Sequence, residues 1–105
     1  MVAAIVEERK QELAEICRRR KVRRLEIFGS AADGTFDPSR SDLDFLVEYE
    51  ALEPGEHADA YFGLWEDLAA SFNRKIDLVQ PGGMRNPYFI RRVNESRTVV
   101  YDSGS

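Results

Sequence analysis

The sequence has 105 residues, of which 43% are hydrophobic and 32% are charged, and its formal net charge is −4. This proportion of apolar residues supports a packed core and excludes a disordered, collagen-like or low-complexity chain. The length is that of one modest domain. We therefore predict a single domain over residues 1–105, built around one hydrophobic core.

The sequence also predicts a soluble, cytoplasmic protein. No apolar run approaches the roughly 20 residues that span a bilayer. The N-terminal stretch becomes charged at Glu7, which is too early for the hydrophobic region of a signal peptide. The single cysteine, Cys17, cannot form an internal disulfide and is expected to face the core from a helix.

Charge is unevenly distributed along the chain. Residues 1–24 carry eight basic and four acidic side chains, whereas residues 33–67 carry eleven acidic side chains against Arg40 alone. Acidic side chains at that density repel one another. Most of them are interpreted as a solvated acidic surface, and two or three require another explanation.

The first half of the chain predicts one helix and two strands. A helical stripe predicts an amphipathic helix over residues 2–20, which ends in a cluster of cations. Alternating residues predict a strand from Val22 to Phe28, which stops at Gly29. After a loop rich in glycine, aspartate, proline and serine, a second strand is predicted from Asp42 to Tyr49.

The second half predicts two helices and two strands. A helix over residues 57–72 is expected to bury the residues at helical spacing, which are Tyr61, Leu64, Trp65, Leu68 and Phe72. A strand follows over residues 75–80, then a short helix from Asn86-Pro87 through Val93 and a last strand over residues 97–101. The order α-β-β-α-β-α-β predicts an α/β or α+β fold, with about three helices covering one sheet of about four strands.

Asp42 and Asp44 are the first candidates for chemistry. Side chains at positions i and i+2 of a strand share one face, with Cα atoms about 6.6 Å apart. Two such carboxylates are costly unless a cation or hydrogen bonds compensate them, and hard oxygen ligands suit Mg²⁺ together with substrate phosphates. Taken alone, the Asp-x-Asp pattern fits a polar surface strand equally well.

Two further signals accompany this pair. Gly29-Ser30 at the end of a strand can let a phosphate approach the backbone, although the same dipeptide is common in ordinary turns. Asp77 lies within the short apolar segment KIDLV, where it is either an edge residue facing water or a third ligand beside the first two. The three signals in this order are more informative than any one of them.

Together these residues resemble the signature of the DNA polymerase β-type nucleotidyltransferase superfamily, and within it the minimal nucleotidyltransferase (MNT) family. The stretch FGSAADGTFDPSRSDLDFLVEY is similar to the family's Gly-Ser … Asp-x-Asp motif, and KIDLV to its third-carboxylate strand. The resemblance covers nearly the whole chain. It implies a nucleotidyltransferase fold with a mixed sheet flanked by helices, two Mg²⁺ ions, and transfer of a nucleoside monophosphate, usually from ATP, to a hydroxyl.

The resemblance also implies roles for individual residues. Gly29 and Ser30 would bind the triphosphate, and Asp42, Asp44 and Asp77 would be the catalytic metal ligands, with Asp77 helping to deprotonate the acceptor. The chain departs from the family in having Asp33 where relatives commonly carry an arginine, and in a spacing of eleven residues after Ser30, one more than is common. Because an acid is unfavourable near a triphosphate, either Arg40 or a cation of the first helix substitutes, or the affinity for the nucleotide is low.

The chain is short for a nucleotidyltransferase, so we expect a partner protein or a macromolecular acceptor to complete its site. Members of the family act as MntA-like antitoxins that transfer AMP to a tyrosine of a helical HEPN-type toxin, and the resemblance implies the same role here, in a homo- or hetero-oligomer. Alternatives are a non-catalytic module that neutralises a partner by binding and, less favoured, a small-molecule nucleotidyltransferase. The overall acidity argues against nucleic acid as the main partner.

Overall fold

In the computed structural model, which describes residues 2–104, four strands form one sheet with helices on both faces. The elements in chain order are the helices α1 (Ala4–Glu7) and α2 (Lys10–Arg19), strand β1 (Val22–Phe28), helix α3 (Ser30–Asp33), strand β2 (Leu43–Tyr49), helix α4 (Glu56–Phe72), strand β3 (Ile76–Val79), a 3-10 turn (Pro81–Gly83), helix α5 (Pro87–Ser96) and strand β4 (Thr98–Asp102). The predicted α+β fold is confirmed.

The sheet is mixed, as expected. Its strand order is β3-β2-β1-β4, with β1 antiparallel to both β2 and β4, whereas β2 and β3 are parallel. Parallel neighbours need a crossover between them, and α4 provides it. This crossover is what brings β3 beside β2.

The two faces of the sheet carry unequal cores. Because strand side chains alternate between faces, Leu43, Phe45 and Val47 of β2 join the main core, which α1, α2 and α4 cover. On the opposite face Leu46 forms a small cluster with Phe28 and Val93 of α5, against which the partly buried Val79 and Met84 pack. This second face is thinly covered and leaves room for polar side chains of β2 and β3.

The prediction of one helix over residues 2–20 is wrong in one respect, since this segment forms two helices. The chain leaves helical geometry at Arg9, with φ −113° and ψ 20°, between α1 and α2. The apolar stripe has a gap there, between Val6 and Leu13. The break lets both of these side chains reach the core, where they are 0% and 1% exposed.

The cations at the end of α2 join it to α4. Nε of Arg20 and Nη2 of Arg19 donate to one oxygen of Asp67 at 2.7 and 3.1 Å, and Nζ of Lys21 lies 2.8 Å from Glu56. A side chain at Gly63 would collide with Arg20, since a Cβ there would lie 2.6 Å from its Nη1. These cations therefore have partners within the fold.

The acidic stretch is correspondingly less solvated than predicted. Besides the two acids bound by α2, Glu48 pairs with Arg23 and Asp37 with Arg40. Asp33 accepts hydrogen bonds from Thr35. Intramolecular pairs thus account for several of the acids that the sequence assigned to open solvent.

The aromatic residues of α4 are also only partly core residues. Leu64, Leu68 and Phe72 are buried as predicted, but Trp65 is 39% exposed. Its Nε1 donates to the carbonyl of Ile76 at 3.1 Å, and Tyr61 Oη donates to that of Leu78 at 2.8 Å. Because β3 is an edge strand, these donors occupy carbonyls that would otherwise be available to another chain.

The start of α5 is as predicted. The side chain of Asn86 accepts from the backbone N–H groups of Tyr88 and Phe89 at 2.9 and 3.4 Å, and the helix continues past Val93 to Ser96. None of the helices within residues 2–104 has the length and apolar character that crossing a membrane requires.

A buried ion pair fixes the start of β4. Glu26 of β1 is 5% exposed, and both its oxygens accept hydrogen bonds of 2.7 Å from Nε and Nη2 of Arg97. This paired, two-bond arrangement holds the pKa of Glu26 below its ordinary value, chiefly through the hydrogen bonds from Arg97. The pair stabilises the fold at pH values above the ordinary pKa of glutamate. This stabilisation is lost as the pH falls through the lowered pKa of Glu26.

We expect Arg97→Ala to lower the free energy of unfolding at neutral pH by about 2–3 kcal/mol, because it leaves Glu26 buried and unpaired. The value lies at the low end of the range for such pairs because the Arg97 side chain is 31% exposed. Urea unfolding at pH 7 and pH 3 measures it, with Lys10→Ala, which breaks an exposed pair, as the control. A loss no larger than the control's, or one that does not shrink in acid, would contradict this role.

Candidate active site

Two carboxylates stand side by side on the thinly covered face. In the parallel register of β2 and β3, Asp44 is directly opposite Asp77. Burial, then the hydrogen bond that the Asp44 carboxyl donates to Asp77 and the charges of Asp77 and Asp42, raise the pKa of Asp44 to about 7, while Arg92 opposes the shift. Without a compensating cation, the pair therefore holds a proton near neutral pH.

Gly29 lies against the same carboxylate. Its φ of 72° and ψ of −148° belong to a region that essentially only glycine occupies. A Cβ there would lie 2.6 Å from Oδ2 of Asp44. The glycine predicted to bind phosphate thus brings bare backbone against the carboxylate, and its N–H donates to Oγ of Ser96 at 2.9 Å.

A cavity of about 440 Å³, here called the α5 cavity, opens beside Gly29 and Asp44. Its lining comprises Phe28, Gly29, Asp33, Asp44, Phe89, Arg92, Val93, Glu95 and Ser96. Arg92 makes no ion pair through its guanidinium within residues 2–104, and its charge acts on both Asp33 and Asp44. Arg92 is thus the one cation in a lining that also carries the acids Asp33, Asp44 and Glu95.

A second cavity of about 300 Å³, here called the β3 cavity, lies on the other side of the carboxylates. It shares three residues with the first, Phe28, Asp44 and Phe89, and adds Tyr61, Trp65, Ile76, Asp77, Leu78 and Val79. The two shared aromatic rings meet edge to face at 5.9 Å. The cavities thus meet at Asp44.

Asp42 is placed less tightly than the other two acids. It lies one residue before β2, its side chain is 42% exposed, and its Oδ2 is 3.9 Å from Nζ of Lys75. Within residues 2–104 no three histidine, cysteine, aspartate or glutamate side chains are already grouped as a metal site. The structure brings Asp44 and Asp77 together and keeps Asp42 at their margin.

The loop before Asp42, with its extra residue, is held in place by Arg74. The Arg74 guanidinium donates to the carbonyls of Ser41 and Pro38 at 3.0 and 3.1 Å and stacks on Phe36, 4.9 Å from the ring centre. Phe36 packs against the main core. The insertion is therefore anchored, and Asp42 follows a fixed loop.

The donor set at the carboxylate pair fits a divalent cation. Two carboxylates in contact, one with a pKa raised by burial and by the other's charge, are relieved when a cation neutralises both. All their donors are hard oxygens, which Mg²⁺ prefers. Asp44 and Asp77 would hold the ion, and Asp42, whose charge already acts on Asp44, is the third candidate ligand.

Two other predicted residues lie apart from the cavities. Ser30 is the first residue of α3 and is half-buried, but it does not line the α5 cavity. Arg40 has a side chain that is 86% exposed, and its Nε pairs with Asp37 at 3.3 Å. It lines neither cavity, so the cation beside Asp33 is Arg92 and not Arg40.

Sequence reasoning missed Arg92, Phe89 and the placement of Trp65 beside the carboxylates. The sequence did not single out Arg92 from the adjacent Arg91, because consecutive residues of an amphipathic helix can both border its buried face. Asp33, which raised the question of a missing cation, has its pKa lowered by hydrogen bonds from the Thr35 side chain and backbone. It shapes the turn at Gly34 as well as lining the cavity.

Comparisons with known proteins agree with this geometry. The family model of the Nucleotidyltransferase domain matches residues 10–100. A curated Methanocaldococcus jannaschii protein named "Putative protein adenylyltransferase MJ0128" is 34% identical over 80 residues, which are 76% of this chain and 78% of that protein.

Solved structures show the same fold. One described as "Structure of putative minimal nucleotidyltransferase" superposes with a TM-score of 0.71 at 26% identity, covering 93% of this chain and 95% of that one. A toxin–antitoxin crystal structure with AMP-PNP gives 0.64 at 21% identity, covering 90% and 74%. A tri-AMPylated Shewanella oneidensis HEPN toxin in complex with MNT antitoxin gives 0.61 at 17%, covering 93% and 73%.

The family match spans most of the chain, and the predicted motif residues Gly29, Asp44 and Asp77 converge on one site. The fold and the enzyme class implied by the sequence resemblance are both confirmed. This chain belongs to the nucleotidyltransferase domain family.

Proposed function

We propose that this protein is a Mg²⁺-dependent protein adenylyltransferase that transfers AMP from ATP to a tyrosine hydroxyl of a HEPN-like toxin, and so acts as its antitoxin. The observation that carries the proposal is the position of Asp44, which borders both the α5 cavity and the β3 cavity. A carboxylate between two cavities suits transfer of a group from an occupant of one to an occupant of the other. The use of ATP implies a cytoplasmic protein.

The α5 cavity suits the triphosphate. Gly29 keeps side-chain atoms away from the backbone beside Asp44, and the Arg92 guanidinium has no competing ion pair within residues 2–104. An arginine can bind phosphate oxygens through two parallel hydrogen bonds. With Arg92 in this role, the acid at Asp33 no longer leaves the phosphates without a cation.

The reaction needs one bond made and one bond broken. The acceptor oxygen forms a bond to the α-phosphorus, the bond from that phosphorus to the α–β bridging oxygen breaks, and pyrophosphate leaves. The proton of the acceptor hydroxyl passes to the Asp77 carboxylate, which borders the β3 cavity. Asp42, Asp44 and Asp77 would hold Mg²⁺, which would supply positive charge near the attacking and leaving oxygens.

A partner protein fits the exposed aromatic residues around the site. Phe62, Trp65, Tyr88 and Phe89 are between 37% and 79% exposed, and all four lie on α4 or α5, the helices that border the cavities. Exposed aromatic clusters are typical of protein interfaces. The names of the relatives, which include an AMPylated HEPN toxin bound to an MNT antitoxin, support a HEPN-like partner.

Asp33 also supports one alternative, a module that neutralises its partner by binding without transfer. A carboxylate that stays ionised in the α5 cavity opposes a triphosphate. Neutralisation of the toxin that survives loss of Asp42, Asp44 and Asp77 together would favour this alternative over the enzyme.

We expect label from α-labelled ATP to pass to a purified HEPN-type partner in the presence of Mg²⁺. The Asp42→Ala/Asp44→Ala double variant should reduce the rate at least about a hundredfold, because it removes metal ligands. Asp59→Ala, an exposed acid of α4, is the control and should label normally. Equal labelling by the double variant would refute the proposal.

Gly29 and Gly34 form a matched pair, since both have positive φ but only Gly29 faces Asp44. Replacing either by alanine should lower stability by about 1 kcal/mol or more. Only Gly29→Ala should also abolish transfer, because its Cβ displaces the Asp44 carboxylate, whereas the space around Gly34 is open. Thermal melts and labelling measure the two effects, and loss of activity in both variants would mean that strain alone matters.

We expect Arg92→Ala to raise the KM for ATP about tenfold, because it removes the cation of the α5 cavity. The neighbouring Arg91 is exposed and lines neither cavity, so Arg91→Ala is the control for charge. Steady-state kinetics with varied ATP distinguishes them. A KM that changes equally in both variants would assign the effect to net charge rather than to a contact.

A further inference from the structure

Four of the residues that line the β3 cavity are aromatic and two are acids. Nε1 of Trp65 and Oη of Tyr61 already donate to the carbonyls of Ile76 and Leu78. These hydrogen bonds hold both aromatic side chains against the edge of β3, and their N–H and O–H groups are not free to donate to a ligand. Phe28 and Phe89 complete the aromatic lining.

The polar groups of the cavity are concentrated at one side. Asp77, an exposed residue of β3, and Asp44, which borders the α5 cavity as well, are its only charged lining residues. An occupant that fits both the aromatic residues and the carboxylates has an apolar ring and, at the end of the ring, one hydrogen-bond donor. A phenol has this shape, whereas a serine or threonine side chain carries its hydroxyl without a ring.

We propose that the β3 cavity is the acceptor subsite and that Trp65 and Tyr61 select the side chain of a tyrosine for adenylylation. The inference rests on the proposed function and adds the residues that recognise the acceptor. The tyrosine ring lies along Trp65, and its hydroxyl points to Asp77, beside the Asp44 carboxylate that borders the α5 cavity. The hydroxyl oxygen then faces the α-phosphorus, and its proton moves to Asp77 as pyrophosphate leaves.

Trp65 gives the inference a test that does not depend on activity. It is the only tryptophan in the sequence, and it is 39% exposed. Titration of the wild-type protein with N-acetyltyrosinamide, with excitation where tyrosine does not absorb, should change the Trp65 emission saturably. N-acetylserinamide and N-acetyllysinamide should not. No saturable change with the tyrosine derivative, or an equal change with the lysine derivative, would overturn the proposal.

Steady-state kinetics with the partner protein as acceptor is the second test of the proposal. Trp65→Ala should raise the KM for the acceptor about tenfold and leave the KM for ATP unchanged, whereas Trp65→Phe, which keeps a ring, should stay within about threefold of wild type. Val99→Ala is the control, because Val99 is 48% exposed, lies on β4 at the opposite edge of the sheet from β3 and lines neither cavity. An unchanged acceptor KM in a folded Trp65→Ala variant would overturn the assignment.

The two proposals fail in different ways. A wild-type protein whose melting temperature does not respond to Mg²⁺ and ATP, and which transfers no label, would contradict the nucleotidyl transfer. Its Trp65 emission would still report whether tyrosine binds. Normal transfer combined with an acceptor KM that is insensitive to Trp65 would instead contradict the acceptor subsite alone.

Discussion

The contact between Asp44 and Asp77 is set by the backbone, because the parallel register of β2 and β3 places these two residues opposite each other. Neither side chain can move far from the other while the strands remain paired. The burial of Asp44 and its neighbouring acids raise its pKa to about 7. The fold therefore maintains an unfavourable contact between the edge strand β3 and its neighbour β2.

The contact is tolerated because it lies on the weaker face of the sheet. The odd-numbered side chains of β2 fill the main core, which alone includes residues of α1, α2 and α4. Within residues 2–104, the hydrophobic cluster on the opposite face has three buried members, Phe28, Leu46 and Val93, and the ion pair of Glu26 with Arg97 lies on the same face. Most of the hydrophobic stabilisation is thus supplied where no charge is buried, and the site occupies the face that contributes least to stability.

Much of the fold and the centre of the site could be predicted from the sequence, because both depend on local patterns. The alternation in β1 predicted its bounds, Val22–Phe28, correctly, and β2 begins at Leu43, one residue later than predicted. Asp44 and Asp77 were identified by their apolar neighbours and by the resemblance to a known motif. Strand periodicity fixes the face of a side chain, and this is sufficient to bring the two acids together once the strands pair.

The positions of the other site residues depend on how the helices cross the sheet, and sequence periodicity does not determine this. Arg92 reaches the site because Val93 anchors α5 over Phe28 and Leu46, whereas Arg40, which is close to Asp42 in sequence, pairs with Asp37 on the loop. Likewise, Trp65 has the spacing of a core residue but lies at the end of the contact between α4 and β3, where it hydrogen-bonds the strand edge. The residues misplaced by sequence reasoning were thus long side chains, whose positions depend on the packing of their elements.

The division of the site into two cavities has a consequence for the reaction. In-line displacement at phosphorus requires the attacking and leaving oxygens to lie on opposite sides of the transferred group. The α5 cavity contains the arginine and the glycine backbone, the β3 cavity contains the aromatic walls and Asp77, and Asp44 lies where they meet. Under the proposed transfer, an anionic donor and an aromatic acceptor would bind on opposite sides of one carboxylate. The unequal lining of the two cavities would then give the arrangement that in-line transfer requires.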